Sequence, residues 1–469
     1  MKVRLLLSGL AAGTFFHIAM AQQPSSTQLQ KAAQQGNAVA ENSLGLAYSK
    51  GLGAPQDYAK AVFWFRKAAD QGLADAELNL AAAYYYGQGV RKSSAKAFYW
   101  GHKAAEQGLT SAETSMGWAY YRGQGVAKNY TKAVSWFRKA AGKGYAAAQT
   151  ALGNAYYTGH GVPKDYAKAV SLFRKAAIQG YARAETDLGI TYREGQGVPR
   201  DYTKSIFWLR KAADQGEPNG EFELGFAYAN GLGVTKDYAK SVFWLRKLSK
   251  NGYAEVDETL GLAYYNGQGV SQNYAKAIAW FRKAAKKGYV KAEYDLGVAY
   301  SEGHGVPQDY AKAIGWFRKA AKQGYDLAEN NLGALYDQGK GVPQDYAVAA
   351  KWYRKSADQN DAAADYNLGV EYEYGRGVQK DYTKAAYWYR KSADQGYGEG
   401  ESSLGILYYT GEGVPQNYEM AYFWLDLAAA KGIGRSANIR DLVAEKLTPA
   451  ELGTAQRRAF TWRPKQPSE

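Results

Sequence analysis

One pattern of 36 residues recurs along this chain, and a glycine closes every copy but one. The register does not change between Gly36 and Gly432, so the pattern is repeated eleven times without an insertion. A fixed period of this length indicates a repeat solenoid, in which each unit contacts only its neighbours. The closing glycine stands at Gly36, Gly72, Gly108, Gly144, Gly180, Gly216, Gly252, Gly288, Gly324, Gly396 and Gly432.

The first half of each unit reads as an amphipathic helix, which we call helix A. In the first unit it is expected to begin after Asn37 and to end at Gly51, where a left-handed cap suits glycine. Gly45 lacks a side chain and is expected to let a neighbouring helix approach closely. The apolar residues follow the spacing of one helical face: Ala40, Leu44, Ala47 and Tyr48.

The second half reads as a second helix, helix B, after a short linker that contains Gly and Pro. Asp57 is placed to cap this helix by accepting hydrogen bonds from its first free amides. Ala61 and Phe65 lie on its apolar face, where small and large side chains can interlock with helix A. The same capping position carries Asp165, Asp201, Asp237, Asp309, Asp345, Asp381, Asn129, Asn273 and Asn417.

The recurring motifs resemble those of a known repeat family. Ala-Glu-x-x-Leu-Gly-x-x-Tyr, Gly-x-Gly-Val, Asp-Tyr-x-Lys-Ala and Trp-x-Arg-Lys-Ala-Ala-x-x-Gly are similar to the Sel-one-like repeats, a branch of the tetratricopeptide superfamily. The resemblance covers residues 38–432. It implies an all-α, right-handed α/α solenoid of eleven antiparallel helix pairs, and it implies an adaptor or scaffold for other macromolecules.

The two ends of the array read as caps. Residues 22–36 form a polar half-repeat, and residues 433–463 are expected to form capping helices, one of them starting at Thr448-Pro449. Residues 464–469 form a polar tail that is expected to be disordered. The side chains expected to cover the last unit are Leu442, Val443, Leu447, Leu452, Ala459 and Phe460.

A few units depart from the pattern without changing its register. In the second unit Ala81 replaces the glycine of helix A, and Lys92-Ser93-Ser94 replaces the Asp-Tyr entry to helix B. Leu172 occupies a tryptophan position. Asn360 replaces a closing glycine, and asparagine also tolerates the left-handed cap.

The N-terminus predicts export. Lys2 and Arg4 precede an apolar run, and small residues near Ala21 provide a cleavage site, so residues 1–21 read as a signal peptide. A retained anchor is the alternative, although the run is short for a membrane span. We expect the mature chain to be periplasmic or secreted, with no transmembrane segment after signal removal. The chain contains no cysteine, which excludes disulfides and thiolate chemistry.

The net charge of +15 comes largely from Arg-Lys pairs in helix B. A basic balance is compatible with nucleic acid, an anionic envelope polymer or a membrane surface as partner. A solvated outer ridge that keeps the chain soluble is the interpretation we favour, and export argues against nucleic acid.

No catalytic, cofactor or metal motif stands out. Gly-x-Gly-Val recurs in unit after unit, and it lacks the strand and further glycine that a dinucleotide site needs. His160 and His304 are four units apart and read as surface substitutions. An acidic row favours inter-helix ion pairs over the paired carboxylates of a glycosidase; it comprises Glu41, Glu77, Glu113, Glu185, Glu221, Glu293, Glu329 and Glu401.

The positions of helix A opposite its core face vary most between units. In a solenoid of helix pairs, this row is expected to line a concave binding surface. Superhelical curvature could instead bury part of the row, an alternative that stays open for each single residue. The candidate partner-binding residues are Tyr85, Trp118, Tyr121, Tyr157, Phe222, Phe226, Tyr265 and Tyr294.

Together these patterns predict a non-catalytic protein-binding scaffold without a cofactor, in the bacterial envelope or secreted. The alternative is a factor that binds or exports cell-wall material or exopolysaccharide, because Tyr and Trp also stack on sugar rings. An enzymatic role known from cysteine-rich relatives is disfavoured, because this chain has no cysteine.

Overall fold

The computed structural model describes residues 26–53 and 55–464, and side chains from Gln28 onward. The predicted signal peptide and residues 465–469 lie outside this part of the chain. Every regular element within it is an α-helix, which confirms the predicted fold class. The helices are α1 (Ser26–Gln34), α2 (Ala38–Lys50), α3 (Tyr58–Asp70), α4 (Ala74–Tyr86), α5 (Ser94–Glu106), α6 (Thr110–Arg122), α7 (Tyr130–Gly142), α8 (Ala146–Thr158), α9 (Tyr166–Ile178), α10 (Ala182–Glu194), α11 (Tyr202–Asp214), α12 (Pro218–Asn230), α13 (Tyr238–Ser249), α14 (Ala254–Asn266), α15 (Tyr274–Ala285), α16 (Val290–Glu302), α17 (Tyr310–Lys322), α18 (Asp326–Gln338), α19 (Tyr346–Ala357), α20 (Ala362–Tyr374), α21 (Tyr382–Asp394), α22 (Gly398–Thr410), α23 (Tyr418–Ala430), α24 (Ser436–Ala444) and α25 (Pro449–Thr461).

Local capping chemistry sets the helix ends. The Asp57 carboxylate accepts from the Lys60 amide at 2.9 Å, and the predicted Asp and Asn positions cap the other helices B in the same way. Gly51 ends α2 with φ 69°. Asn360 takes a left-handed φ of 65°, as predicted. Ser93 caps α5 in the unit that lacks the acidic entry.

In every repeat but the second, a glycine on helix A and a large side chain on helix B hold the helix pair together. A Cβ placed on Gly45 would lie 2.6 Å from ring carbons of Phe65, and one placed on Gly117 would lie 2.3 Å from the Phe137 ring. Such distances are below any van der Waals contact, so only glycine allows the ring to lie against the helix backbone. The predicted close approach at Gly45 is therefore confirmed.

The chain divides into two compact units, one ending at Lys247 and the other beginning at Leu248. Each has its own core of small alanines packed around large side chains. In the first unit Phe137, Phe173 and Leu209 are buried. In the second unit Phe281, Phe317 and Tyr389 fill the corresponding positions.

The recurring glutamates are buried and paired between the two helices of a repeat, which confirms the inter-helix ion-pair prediction. Glu113 is fully buried, and its carboxylate contacts the Nζ atoms of Lys143 at 2.8 Å and Lys139 at 3.1 Å. In several other repeats a glutamine amide donates to the glutamate, as from Gln215 to Glu185 at 2.7 Å. Each carboxylate thus joins its helix A to the helix B that follows.

The basic residues of helix B are more than a solvated ridge, which corrects part of that expectation. The Arg66 guanidinium donates to the Tyr84 hydroxyl at 2.6 Å, and the same pairing recurs in later repeats. Lys139, besides its ion pair, lies 5.2 Å from the Trp136 ring centroid. The arginine thus contacts the following repeat, and the lysine contacts side chains of its own repeat.

The two C-terminal helices pack on α23 with different residues than expected. Val443 and Ala459 are buried, and Leu447 and Leu452 are partly buried, as predicted. Leu442 is 52% exposed and Phe460 is 83% exposed, so the prediction for these two was wrong. Leu442 precedes the buried Val443, and Phe460 follows the buried Ala459. Successive residues of a helix point about 100° apart, so a helix that turns Val443 or Ala459 toward α23 cannot turn the adjacent residue toward it as well.

Candidate functional site

The predicted binding row lies on helix A, but its first position is largely closed. Thr114, Thr150 and Thr186 are buried, and their hydroxyls donate to backbone carbonyls one turn earlier in their own helices. Inter-repeat packing therefore covers this position in these repeats. Phe222 and Tyr294 occupy the first position in their repeats and are half-buried. The second and third positions are at least partly accessible, and they carry the other candidate aromatic side chains.

Tyr85 and Trp118 line the same surface pocket in the first unit. The pocket has a volume of about 100 Å³, and its walls come from α4, α5 and α6. The Gln124 side-chain amide donates to the Tyr85 hydroxyl at 3.1 Å, which fixes that ring at the edge of the pocket. Trp118 lies edge-on against the buried Phe137 ring, with a centroid distance of 5.2 Å.

Trp118 and Tyr121 are brought together directly, and a histidine fixes the tyrosine. Their ring centroids are 5.4 Å apart, and the Arg122 guanidinium lies 5.0 Å from the Trp118 centroid. The Tyr121 hydroxyl is 2.8 Å from Nδ1 of His160, whose ring stacks on Tyr130 at 4.6 Å. The histidine is thus more than a surface substitution.

Tyr157 faces a different set of neighbours. Its hydroxyl donates to the Glu194 carboxylate at 2.5 Å, and its ring lies 5.2 Å from the Tyr166 centroid. The structure therefore joins Tyr85, Trp118 and Tyr121 more closely through the pocket and the ring pair than it joins Tyr157 to them.

Phe222 and Phe226 lie on α12. Phe222 is half-buried, and Phe226 is 44% exposed. The Arg193 guanidinium lies 6.0 Å from the Phe226 centroid and forms an ion pair with Glu223. This patch therefore has one exposed aromatic ring beside an ion pair that two residues of the chain form with each other.

Tyr265 and Tyr294 lie in the second unit. The Tyr265 hydroxyl is 2.6 Å from Nδ1 of His304, which stacks on Tyr274, so the Tyr121–His160–Tyr130 arrangement is repeated here. Burial and the nearby Glu302 carboxylate raise the Tyr265 pKa above its usual value. Tyr294 packs against Phe317 and Tyr325 with centroid distances of 5.7 Å and 5.2 Å.

A pair of acids on neighbouring repeats is a feature that the repeat pattern does not predict. Glu258 and Asp295 occupy positions where Asn42 and Asn79 of the first repeats share a hydrogen bond at 2.9 Å. Burial raises the pKa of Asp295 to about 8 and that of Glu258 to about 7. One oxygen of the Asp295 carboxylate has no hydrogen-bond partner.

Helix B carries a row of exposed aromatic rings, and our sequence reasoning assigned them no role. Each adjoins the repeat's tryptophan in an edge-on pair, as Phe63 does with Trp64 at 5.1 Å. The sequence did contain a signal for them: this position of helix B is aromatic in several repeats and carries another apolar residue in few of the others. The rings are Phe63, Tyr99, Phe207, Phe243 and Tyr387, all between 54% and 59% exposed.

The described residues offer neither a metal site nor a membrane span. No group of three or more His, Asp or Glu side chains there could hold a metal ion. In the same part of the chain, no helix is both long enough and apolar enough to cross a bilayer.

These features define a solenoid of paired helices whose accessible aromatic surfaces are held by buried polar contacts. The Sel1 repeat profile matches eleven consecutive segments, from residues 38–73 to residues 399–433. The chain therefore belongs to the Sel1 repeat family, whose fold generally mediates protein–protein interaction.

Solved structures agree with this assignment. The chain is 36% identical to a protective antigen of uropathogenic Escherichia coli with an SLR fold, covering 92% of this chain and 93% of that one, with a TM-score of 0.71. It is 34% identical to a Sel1 repeat protein of Oxalobacter formigenes, covering 66% of this chain and 90% of that one, with a TM-score of 0.54. Among curated proteins, no sequence matches it significantly.

Proposed function

We propose that this protein is a non-catalytic scaffold that binds a partner protein on the helix A surface of its first compact unit, which ends at Lys247. The observation that carries the proposal is the combination of Tyr85, Trp118 and Tyr121. Their positions are fixed by Gln124 and His160, while the rings remain partly accessible. Rings that are fixed before binding lose little conformational entropy in a complex, and Trp and Tyr are enriched among residues that dominate binding energy.

We also propose that the protein acts outside the cytoplasm, in the periplasm or after secretion. The support is the N-terminal sequence, with Lys2 and Arg4 before an apolar run. The E. coli relative is described as a protective antigen, which is compatible with export. Fractionation of cells expressing the full chain tests this part.

The binding proposal is tested by affinity capture from envelope extract with residues 22–469. The test variant is Trp118→Ala/Tyr121→Ala/Tyr157→Ala. A second variant, Ala82→Lys, adds bulk at an exposed position beside the pocket without removing a core contact. The matched control is Phe63→Ala/Tyr99→Ala, which removes exposed rings from helix B instead.

The proposal expects one partner that the parent and the helix B control retain and that both helix A variants lose. Circular dichroism melting of every variant shows whether the fold is intact. Retention of the partner by a folded triple variant and by Ala82→Lys would refute the helix A assignment.

A second candidate function, binding of cell-wall or exported polysaccharide, is favoured by the helix B ridge. Exposed rings there lie beside lysine ammonium groups, such as Lys67 at 5.2 Å from the Phe63 centroid. Sugar rings stack on such aromatics, and lysines attract anionic glycans. In this case the Phe63→Ala/Tyr99→Ala variant loses binding to glycan while the helix A variants keep it, and binding to an anionic glycan weakens as salt is raised.

A further inference from the structure

Repeat two lacks the large side chain that holds the helix pair together elsewhere. Its helix B carries Gly101 where the other ten repeats have Phe, Tyr or Leu, and its helix A carries Ala81 where the others have Gly. Repeat two therefore has a small residue at both positions of the pair, where every other repeat has one small and one large residue. The equivalent large residues are Phe65, Phe137, Phe173, Leu209, Leu245, Phe281, Phe317, Tyr353, Tyr389 and Leu425.

Two other substitutions fill part of the space. Phe98 replaces the Val or Ile that most repeats have one turn earlier in helix B, and Met116 replaces a Leu found at that position in every other repeat. A Cβ placed on Gly101 would lie 2.7 Å from the Met116 methyl carbon and 3.7 Å from the Ala81 methyl carbon. The Met116 side chain has therefore entered the space next to the Gly101 backbone.

The compensation is incomplete, and the remainder is the pocket that Tyr85 and Trp118 border. It is open to solvent, its volume is about 100 Å³, and most of its wall is apolar. Its inner wall includes Leu78, Ala97 and Met116. An engineered apolar cavity of about 150 Å³ in another protein stays dry and binds benzene. This pocket is of comparable size and is open to solvent, so it can take up one aromatic ring.

We propose that this pocket is a receptor for one phenyl ring, presented by a phenylalanine side chain of a partner polypeptide. The proposal rests on the proposed protein-binding function and names the group that the partner inserts. The occupant follows from the fold itself, because in five other repeats the corresponding space holds the phenyl ring of this chain's own Phe.

The chemistry of the walls agrees with this occupant. Aromatic rings prefer edge-on contacts, and Phe98 and Trp118 offer ring edges or faces to an incoming ring. The Tyr85 hydroxyl, bonded to Gln124, and Ser115 supply polar groups at the lining, where a peptide backbone needs hydrogen-bond partners. A charged or strongly polar group would lose its hydration against the apolar wall.

The test uses ligand-detected NMR with three probes: toluene, N-acetylphenylalaninamide and N-acetylalaninamide. The key variant is Ala81→Gly/Gly101→Phe, which restores the pair found in the other repeats and fills the pocket from within. A second variant, Ala82→Trp, covers the pocket from an exposed position and leaves the core unchanged.

The proposal expects saturable binding of toluene and N-acetylphenylalaninamide to the parent, and no binding of N-acetylalaninamide. Both variants should weaken ring binding at least tenfold. The proposal is overturned if the parent binds neither ring probe, if it binds toluene but not the amide, or if Ala81→Gly/Gly101→Phe binds as tightly as the parent. These outcomes leave the partner-capture result independent, so the two proposals can fail separately.

Discussion

Asp295 offers the sharpest test of how the array tolerates buried charge. Its carboxyl group lies on α16 with one oxygen unpaired, and the neighbouring repeat contributes Glu258. Burial is the main cause of the raised pKa of about 8, the Glu258 charge adds to it, and Lys291 opposes it. Tyr289, Tyr294 and Tyr325 surround the pair, and burial raises the pKa of each of them as well.

The sign of the pH dependence follows from this shift. A carboxyl whose pKa is higher in the folded state than in the unfolded chain keeps its proton longer in the folded state. The protonated Asp295 therefore makes its full contribution to the free energy of unfolding below the unfolded pKa, near 4. This contribution is lost as the pH rises through about 8. A shift of this size corresponds to roughly 6 kcal/mol if fully expressed, but the residue is only part-buried, and we expect about 1–2 kcal/mol.

The variant Glu258→Asn/Asp295→Asn replaces the acids with the pair seen at Asn42 and Asn79, which share a 2.9 Å hydrogen bond. We expect it to raise the thermal unfolding midpoint at pH 9 and to change it little at pH 4. Melting curves at pH 4, 6 and 9 provide the measurement. A variant that is no more stable than the parent at pH 9, or equally stabilised at pH 4, would refute the reasoning.

Two further predictions concern packing in the eighth repeat. Gly297→Ala should destabilise it by about 1–3 kcal/mol, because the added Cβ would lie 2.5 Å from ring carbons of Phe317. The matched control Gly315→Ala, on the helix B of the same repeat with open space around it, should stabilise by up to about 1 kcal/mol. Phe317→Ala should cost about 3–5 kcal/mol, because that ring is buried in the core of the second unit. Hydrogen exchange of the repeat's amides measures all three, and equal effects of the two alanine substitutions would contradict the packing account.

Much of the fold follows from local rules that one repeat already contains. The caps at Asp57 and Gly51, the close contact of Gly45 and the ion pairs of the glutamate row depend on residues within one unit or the next. Eleven copies of the same pattern reinforce each of these inferences. The period alone was enough to assign the solenoid.

The candidate site was less predictable, because it depends on contacts between repeats that the consensus does not contain. The departure at Ala81 was visible in the sequence, but the pocket requires Gly101, Phe98 and Met116 to be considered together in three dimensions. Thr114 could not be assigned as buried without the angle between neighbouring helices. The separation of 37 residues that brings Glu258 to Asp295 likewise follows from stacking geometry, and no periodicity within one helix reveals it.

The measurement that tests the central claim most directly is the affinity of a captured partner for purified residues 22–469, compared across two surfaces. Titration is carried out with the parent, with Trp118→Ala/Tyr121→Ala/Tyr157→Ala and with Phe63→Ala/Tyr99→Ala. The account predicts that the helix A variant binds at least tenfold more weakly, while the helix B variant binds like the parent. Equal affinity for the parent and a folded helix A variant, with the loss confined to the helix B variant, would contradict the account.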